Sequence, residues 1–301
     1  MASSQRQKKR RAIFDQAVKA FQSVTGRPER WCFCPLCERA FTEQHLEDGT
    51  LSLEHVPPEA LGGRELVLTC SECNSTAGTK VDSQAVRREE VRAFMKAVAS
   101  GGSSYSNIAR LTIGGVTLNC SLTVDPTDRT MSLAPSEKHN DPQAVRKYRE
   151  QLGEADKQGT WDRMPFSLGP ARSYHPQLAR LSDLRAGYLL AFAKLGYRYA
   201  FHPRLDPVRE QLRNPDEEII TGFSVSPTGD QVIVIAERPI EALWVVMPQA
   251  AVLLPWPPSK VDPYQRMAEM HEPGSKVTIH GLSMPWPSRP EMVLDFPGRD
   301  S

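Results

Sequence analysis

Four cysteines near the start of the chain are spaced like the ligands of one metal ion. Cys34 and Cys37 form one Cys-x-x-Cys pair, and Cys70 and Cys73 form a second. Each pair places two thiolates in a tight turn, and four thiolates make the closed tetrahedral site that is typical of structural zinc. Coincidental burial of four cysteines is the alternative, and the two matched pairs argue against it. Cys32 is too close to Cys34 to share this geometry, so we expect it to pack as a small apolar residue.

Polar residues suited to hydrolysis lie between and after the two cysteine pairs. Glu54 and His55 are adjacent, and Asn74 directly follows the last cysteine. A histidine that titrates near neutrality can take a proton from water, and carboxylate and amide oxygens suit a hard cation such as Mg²⁺. The alternative is that His55 only caps a turn. Its place inside this group of residues favours the catalytic role.

Two short strands and a helix must hold these side chains. Strands are predicted over residues 51–53 and 66–68, and a helix follows the second cysteine pair. Neighbouring residues of a regular strand point to opposite sides, so Glu54 and His55 can both reach one substrate only where the strand is interrupted. We expect the interruption at Val56-Pro57, because proline cannot continue a ladder of hydrogen bonds.

The complete pattern resembles the HNH endonuclease family in its zinc-stapled form. It reads Cys-x-x-Cys, Glu-His-Val-x-Pro, Gly-Gly and Leu-Thr-Cys-x-x-Cys-Asn, and it covers about residues 31–82. The resemblance implies a ββα-metal fold, in which a hairpin and a helix hold one divalent ion against a scissile phosphate. It also implies roles for single residues: His55 as general base, Glu54 and Asn74 as ligands of a catalytic Mg²⁺ or Mn²⁺, and Cys34, Cys37, Cys70 and Cys73 as ligands of a structural Zn²⁺.

Two positions depart from the family pattern. The middle asparagine of the family name is not evident, and Arg64 and Glu65 occupy its region. A further metal ligand often lies one turn after the position of Asn74, where this chain has Gly78. Asp82 or water could complete the metal shell. These departures motivate an alternative, in which the segment is a zinc-stapled module that binds nucleic acid or a protein partner and has lost its catalytic shell.

Composition limits the class of protein. The chain has 301 residues, of which 40% are hydrophobic and 24% charged, as in soluble globular proteins of about two domains. A net charge of +1 means that any nucleic-acid contact would come from local basic patches. No stretch approaches the roughly 18 apolar residues of a membrane helix, so we expect no membrane partner. The N-terminus lacks an apolar signal segment, so we expect a cytoplasmic protein, whose paired cysteines indicate metal rather than disulfides.

The fold class predicted from these signals is α+β. We predict a basic disordered tail at 1–11, for which a phosphate-binding arm is the alternative, and the zinc-bound ββα-metal domain with flanking helices at 12–100. A linker is predicted at 101–104, followed by an α+β domain of uncertain fold at 105–301.

Within the C-terminal domain, the alternation from Leu111 to Val124 around Gly114-Gly115 predicts a β-hairpin. The aromatic row Tyr197, Tyr199 and Phe201 also alternates, which is typical of a strand in a sheet core.

The function expected from the sequence is a metal-dependent endonuclease that hydrolyses phosphodiester bonds of DNA, with His55 as general base. The binding module without catalysis is a second reading, and an RNA-directed nuclease is a third. The C-terminal domain would target the nuclease, bind a protein partner or sense a small molecule.

Overall fold

The computed structural model of the chain describes residues 2–100, 103–160, 163–227, 230–270 and 278–292. Its helices and strands give the α+β class that the sequence predicts. Two of the four predicted linker residues, 101 and 102, lie outside the described residues.

The elements follow one another along the chain with helices and strands interspersed. The described helices are α1 (Ala2–Thr25), α2 (Gln44–Glu47), α3 (Ser71–Ala77), α4 (Ser83–Ser100), α5 (Pro142–Gln158), α6 (Pro176–Leu195), α7 (Tyr197–Ala200), α8 (Asp206–Arg213) and α9 (Pro263–Met270). The described strands are β1 (Cys32–Phe33), β2 (Ala40–Phe41), β3 (Leu51–Val56), β4 (Arg64–Cys70), β5 (Tyr105–Ile113), β6 (Val116–Asp125), β7 (Thr130–Pro135), β8 (Phe166–Pro170), β9 (Ser224–Val225), β10 (Val232–Arg238), β11 (Ala242–Val246), β12 (Ala251–Pro255) and β13 (His280–Pro285).

Two compact units divide the chain. The first unit joins residues 1–86 to residues 176–301, and the second unit spans residues 87–175. These boundaries differ from the predicted domains at 12–100 and 105–301, because residues 176–301 lie in the same unit as the cysteine-rich segment.

The core of the first unit is built around α6. From Leu181 to Leu195 every residue of this helix is buried. Its apolar side chains share one cluster with α1, with the β3–β4 hairpin and with the sheet of order β13-β10-β11-β12-β9. A helix that is buried on all sides needs neighbours on all sides. This requirement explains why segments from the two ends of the chain fold into one unit.

Helix α1 includes the basic segment for which the sequence predicts a disordered tail. Residues 2–11 form its first turns. Phe14 on the same helix is fully buried, and Arg10 Nη2 donates hydrogen bonds of 2.6 Å to the carbonyl oxygens of Leu46 and Leu51. Burial of one side and these bonds to neighbouring backbone hold the segment as a helix.

The second unit contains an antiparallel sheet of order β7-β6-β5-β8. Strands β5 and β6 form the hairpin that the alternating pattern predicts, and the turn lies at Gly114-Gly115, where both residues have positive φ. The alternating apolar residues of this hairpin pack against α5 through Val145 and against α4 through Phe94. The sheet therefore has one apolar face, while the other face is polar.

The aromatic row is helical, so the predicted strand is wrong. Tyr197 and Tyr199 lie in the short helix α7 and both are buried. The Phe33 backbone N–H donates to the hydroxyl of Tyr197 over 3.0 Å, and the hydroxyl of Tyr199 donates to the Pro255 carbonyl over 3.1 Å. Arg198 between the two tyrosines is exposed, so the segment does alternate, but three alternating positions are too few to distinguish a strand from a single turn of helix.

A close backbone approach fixes the loop between β3 and β4. A Cβ atom built on Gly63 would lie 1.5 Å from the carbonyl oxygen of Pro57. Gly62, which precedes it, has a φ of +80°, a backbone angle that residues other than glycine rarely adopt. The Gly-Gly pair is therefore required by both conformation and space.

We predict that Gly63→Ala lowers the free energy of unfolding of the first unit by about 2 kcal/mol or more, because the loop must move to relieve the overlap. Gly78→Ala is the matched control, since an added Cβ there meets nothing within 4 Å and the backbone is helical. Chemical denaturation of both variants tests this. Equal stability of the two variants would contradict the close approach.

Candidate functional site

The four paired cysteines form one cluster. Their sulfur atoms all lie within 4.8 Å of one another, and the Sγ atoms of Cys37 and Cys70 are 3.7 Å apart. Zn–S bonds of about 2.3 Å in a tetrahedron place sulfur atoms about 3.8 Å apart. The donor set and its spacing therefore fit a closed, structural zinc site.

The fold brings the two pairs together from different elements. Cys34 and Cys37 lie in the turn between β1 and β2, whereas Cys70 ends β4 and Cys73 lies in the first turn of α3. The backbone N–H of Cys73 points at Cys70 Sγ over 3.4 Å. The cysteine cluster therefore connects the β1–β2 turn to the end of the β3–β4 hairpin and the helix that follows it.

The guanidinium group of Arg39 stabilises negative charge on the sulfur atoms of Cys37 and Cys70. Its Nε lies 3.3 Å from Cys37 Sγ and its Nη2 lies 3.2 Å from Cys70 Sγ, and Nη2 also contacts a carboxylate oxygen of Glu72 at 2.5 Å. The pKa of Cys37 is lowered, chiefly by the hydrogen bond from Cys34, and Arg39 adds to this effect. Thiolate is the form that binds zinc, so these contacts favour metal binding.

Cys32 lies outside this cluster, as the sequence predicts. It is buried, and burial raises the pKa of its thiol to about 12. The hydroxyl of Tyr197 lies 3.7 Å from its sulfur. Cys32 therefore packs as a neutral residue outside the four-cysteine cluster.

A β-bulge lies in the hairpin at the step from Glu54 to His55. Glu54 pairs with Val67 across the hairpin, but His55 pairs with Glu65, so Leu66 on β4 is the extra residue. Glu54 is buried at 4% relative exposure, whereas the His55 side chain is 28% exposed. Strand β3 ends at Val56, where the sequence predicts that proline stops it, and the bulge lies two residues earlier, between Glu54 and His55. The imidazole of His55 is left partly exposed to solvent.

Asn74 lies on the first turns of α3 and faces β3. Its Nδ2 donates to Ser52 Oγ over 3.1 Å and contacts the carbonyl oxygen of Leu53 at 3.5 Å. These contacts fix the amide group against the strand that carries Glu54 and His55. The amide oxygen is then the atom that could bind a cation.

Glu54 is held by a buried arginine from α6. Arg185 Nη2 lies 2.9 Å from Glu54 Oε2, and the hydroxyl of Thr69 donates to the same oxygen over 3.3 Å. Burial raises the pKa of Glu54, and the positive charge of Arg185 opposes that rise. A cation bound to Glu54 would therefore use its other oxygen, Oε1.

Asp82 is bound to the same arginine. Arg185 Nη1 donates to Asp82 Oδ2 over 2.9 Å, and the hydroxyl of Ser182 donates to Oδ1 over 2.7 Å. Burial again raises the pKa of the carboxyl group. Since both oxygens have partners from α6, the structure places Asp82 in an ion-pair network with Glu54 rather than in an open metal site.

The cysteine cluster is, within the described part of the chain, the one group in which three or more His, Cys, Asp or Glu ligand atoms converge. Glu54 and His55 therefore make no such cluster with a third residue of these types. Arg185, which lies 131 positions beyond Glu54, was not identified from the sequence. In the sequence, the feature that distinguishes Arg185 is its charge within the largely apolar run of α6.

His55 borders a cluster of charged side chains from α1. Its cross-strand neighbour Glu65 forms ion pairs with Arg6 Nε at 3.0 Å and with Lys9 Nζ at 3.3 Å. Glu59 Oε2 lies 4.0 Å from His55 Nε2. The basic segment of α1 thus lies beside the strand pair that carries the exposed imidazole.

Comparison with known proteins identifies a part of the chain. Residues 34–90 match the family model described as HNH endonuclease, so this segment is an HNH domain with its four-cysteine cluster. No curated protein and no solved structure matches the chain. Among the described helices, none has the length and apolar character needed to cross a bilayer.

We predict that Cys34→Ser or Cys73→Ser reduces bound zinc from about one equivalent to near none and destabilises the first unit, because structural zinc contributes folding free energy. Cys32→Ala is the matched control and should keep its zinc, since Cys32 lies outside the cluster. Elemental analysis and thermal unfolding measure both effects. Full zinc content and an unchanged melting curve in the serine variants would refute the zinc assignment.

We also predict that Arg185→Met destabilises the protein by about 3–5 kcal/mol, because it leaves two buried carboxylates without a counter-charge. Without the guanidinium charge of Arg185, the folded-state pKa values of Glu54 and Asp82 rise further. The loss of stability should therefore be larger at pH 8 than at pH 5, where protonation neutralises the two carboxylates. Arg180→Met is the control, since Arg180 is exposed on the same helix. Denaturation curves at both pH values test this, and a loss no greater than that of Arg180→Met would contradict it.

Proposed function

We propose, on the premise that residues 34–90 are an HNH endonuclease domain, that the protein hydrolyses phosphodiester bonds of DNA with the help of a divalent cation. The observation that carries the proposal is the family match together with the exposed imidazole of His55 beside α3. The hairpin, the bulge and the zinc cluster then serve to present that imidazole to substrate.

His55 is the proposed general base. Its side chain is 28% exposed, so a water molecule beside a bound phosphate can reach the ring. A histidine suits this role because its ordinary pKa lies close to neutrality. The base must lie within about 3 Å of the water that it deprotonates, and the open position of the ring permits that approach.

Glu54 and Asn74 are the proposed ligands of the catalytic cation, through Glu54 Oε1 and Asn74 Oδ1. Their oxygen donors suit Mg²⁺ or Mn²⁺, which keep several waters and bind substrate phosphate. Bound there, the cation would neutralise charge on the phosphate and on the leaving oxygen. Arg6 and Lys9 of α1 lie beside the same hairpin and would contact neighbouring phosphates.

A second candidate is the zinc-stapled binding module that has lost catalysis. The observation that favours it is Arg185, whose charge already compensates Glu54 and Asp82. A cation at Glu54 would have to bind beside that guanidinium, and like charges repel. Such a module would bind nucleic acid or a protein partner without cutting, and an RNA substrate remains the third alternative.

We predict that His55→Ala lowers cleavage of plasmid DNA by about 10²- to 10⁴-fold in Mg²⁺ or Mn²⁺, because it removes the general base. His45→Ala is the matched control, because His45 lies in the same domain and bonds only to Thr42 among the described contacts. The zinc content of both variants should equal that of the wild type. Tight binding of DNA by the wild type, with no cutting of DNA or RNA, would favour the binding module instead.

The assignment of the cation site predicts a different change for Glu54→Gln. The Mg²⁺ concentration for half-maximal cleavage should rise about tenfold or more, while DNA affinity changes little. Titration of cleavage rate against Mg²⁺ measures the first quantity and fluorescence anisotropy the second. Unchanged Mg²⁺ dependence would exclude Glu54 as a ligand.

A further inference from the structure

We propose that the second unit carries a binding site for phosphate groups, in a polar cavity beside β5. The cavity has a volume of about 450 Å³, within the range of about 300–1,000 Å³ that small-molecule sites occupy. Its polar lining is Glu90, Tyr105, Asn107, Arg110, Asn119, His139 and Arg172. All of these residues belong to the unit that spans residues 87–175, which does not contain His55.

Two arginines give the cavity its charge. Arg110 lies on β5 and Arg172 follows the end of β8, and both are exposed. Neither guanidinium group has a hydrogen bond or ion pair within the described part of the chain. Glu90 is the one carboxylate in the lining, so the two guanidinium groups outnumber it.

The cavity lies beside the end of strand β5 that does not pair with β8. Strand β8 pairs with β5 only from Ala109 to Ile113, and Pro170 is its last paired residue. The preceding residues of β5, 105–108, pair with β6 alone among the described strands. This end of β5 therefore has an open edge, where Tyr105 and Asn107 meet the cavity.

The lining chemistry suits a phosphate group. A guanidinium group donates in a planar fork that matches two oxygens of one phosphate, and two such groups can bind one phosphate or two neighbouring ones. Asn119 is fixed by its Nδ2, which donates to the carbonyl oxygen of His139 over 2.8 Å. Its amide oxygen, with the hydroxyl of Tyr105 and the amide of Asn107, can then bind the sugar or base.

Two sources present such a phosphate, and their chemistry is the same. One is the backbone of a nucleic-acid strand, in which case the site would add affinity for the substrate of the HNH domain. The other is a free nucleotide, in which case the site would sense a small molecule. The site itself goes beyond the proposed nuclease activity and does not depend on it.

The test uses the full chain with His55→Ala, so that binding is measured without cleavage. The probes are a fluorescein-labelled 20-nucleotide single strand, the matching duplex, ATP and inorganic phosphate. Anisotropy measures the DNA probes and calorimetry the other two. The variant Arg110→Ala/Arg172→Ala is compared with Arg129→Ala/Arg146→Ala, which removes the same charge from exposed positions of the same unit away from the cavity.

The expected result is a loss of at least tenfold in affinity in the cavity variant and less than twofold in the control. If the ligand is a strand, the slope of log affinity against log salt should also fall by about 1.4 for single-stranded DNA or about 1.8 for duplex. A loss confined to ATP and phosphate identifies the free nucleotide instead. The proposal is overturned if the cavity variant binds all four probes like its parent, if no probe binds the parent, or if the control loses as much affinity.

The two proposals fail in different assays. Absence of cleavage by the wild type would count against the nuclease, while the binding difference between the two double variants would be unaffected. Equal binding by those variants would remove the phosphate site, while the His55 cleavage comparison would still stand. Melting curves of both double variants check that each remains folded.

Discussion

Four sulfur atoms within 4.8 Å of one another impose the constraint on which the N-terminal hairpin depends. Thiolates this close repel one another unless a cation lies among them, and their spacing fits zinc. Two of these cysteines lie between β1 and β2, and the other two lie where β4 meets α3. An isolated two-stranded hairpin is only marginally stable. A metal ion at this junction would therefore fix the hairpin against the helix that carries Asn74, and with it the position of His55.

Arg185 adds a second constraint, which has opposite consequences for stability and for chemistry. It compensates two carboxylates that would otherwise be buried without partners, and so it stabilises the contact of α6 with the HNH segment. The same positive charge occupies the side of Glu54 that faces α6, which leaves one oxygen for a catalytic cation. The HNH segment thus depends on a helix that begins 86 residues after its last matched residue. A fragment cut at residue 90 would lack this counter-charge.

The arrangement of the chain separates two kinds of surface. The first unit contains the cysteine cluster, the imidazole of His55 and the basic side of α1. The second unit, which interrupts the first in sequence, contains the cavity with Arg110 and Arg172. A net charge of +1 conceals both basic regions, because acidic residues elsewhere balance them. Local charge at a surface governs contact with phosphate more than the total does.

The sequence alone determined the features that depend on short spacing. The two Cys-x-x-Cys pairs, the two strands of the hairpin that carries Glu54-His55 and the hairpin at Gly114-Gly115 could all be read from it, because a tight turn and a strand of period two involve only neighbouring residues. The tertiary structure decided which distant elements meet: that residues 176–301 join the N-terminal unit, that Tyr197 lies in a helix, and that Arg185 binds Glu54 and Asp82. These outcomes could not be read locally, because the partners of Tyr197 and Tyr199 are distant in sequence, at Phe33 and Pro255. Likewise, an ion pair between residues 131 positions apart forms only when packing brings its charges together.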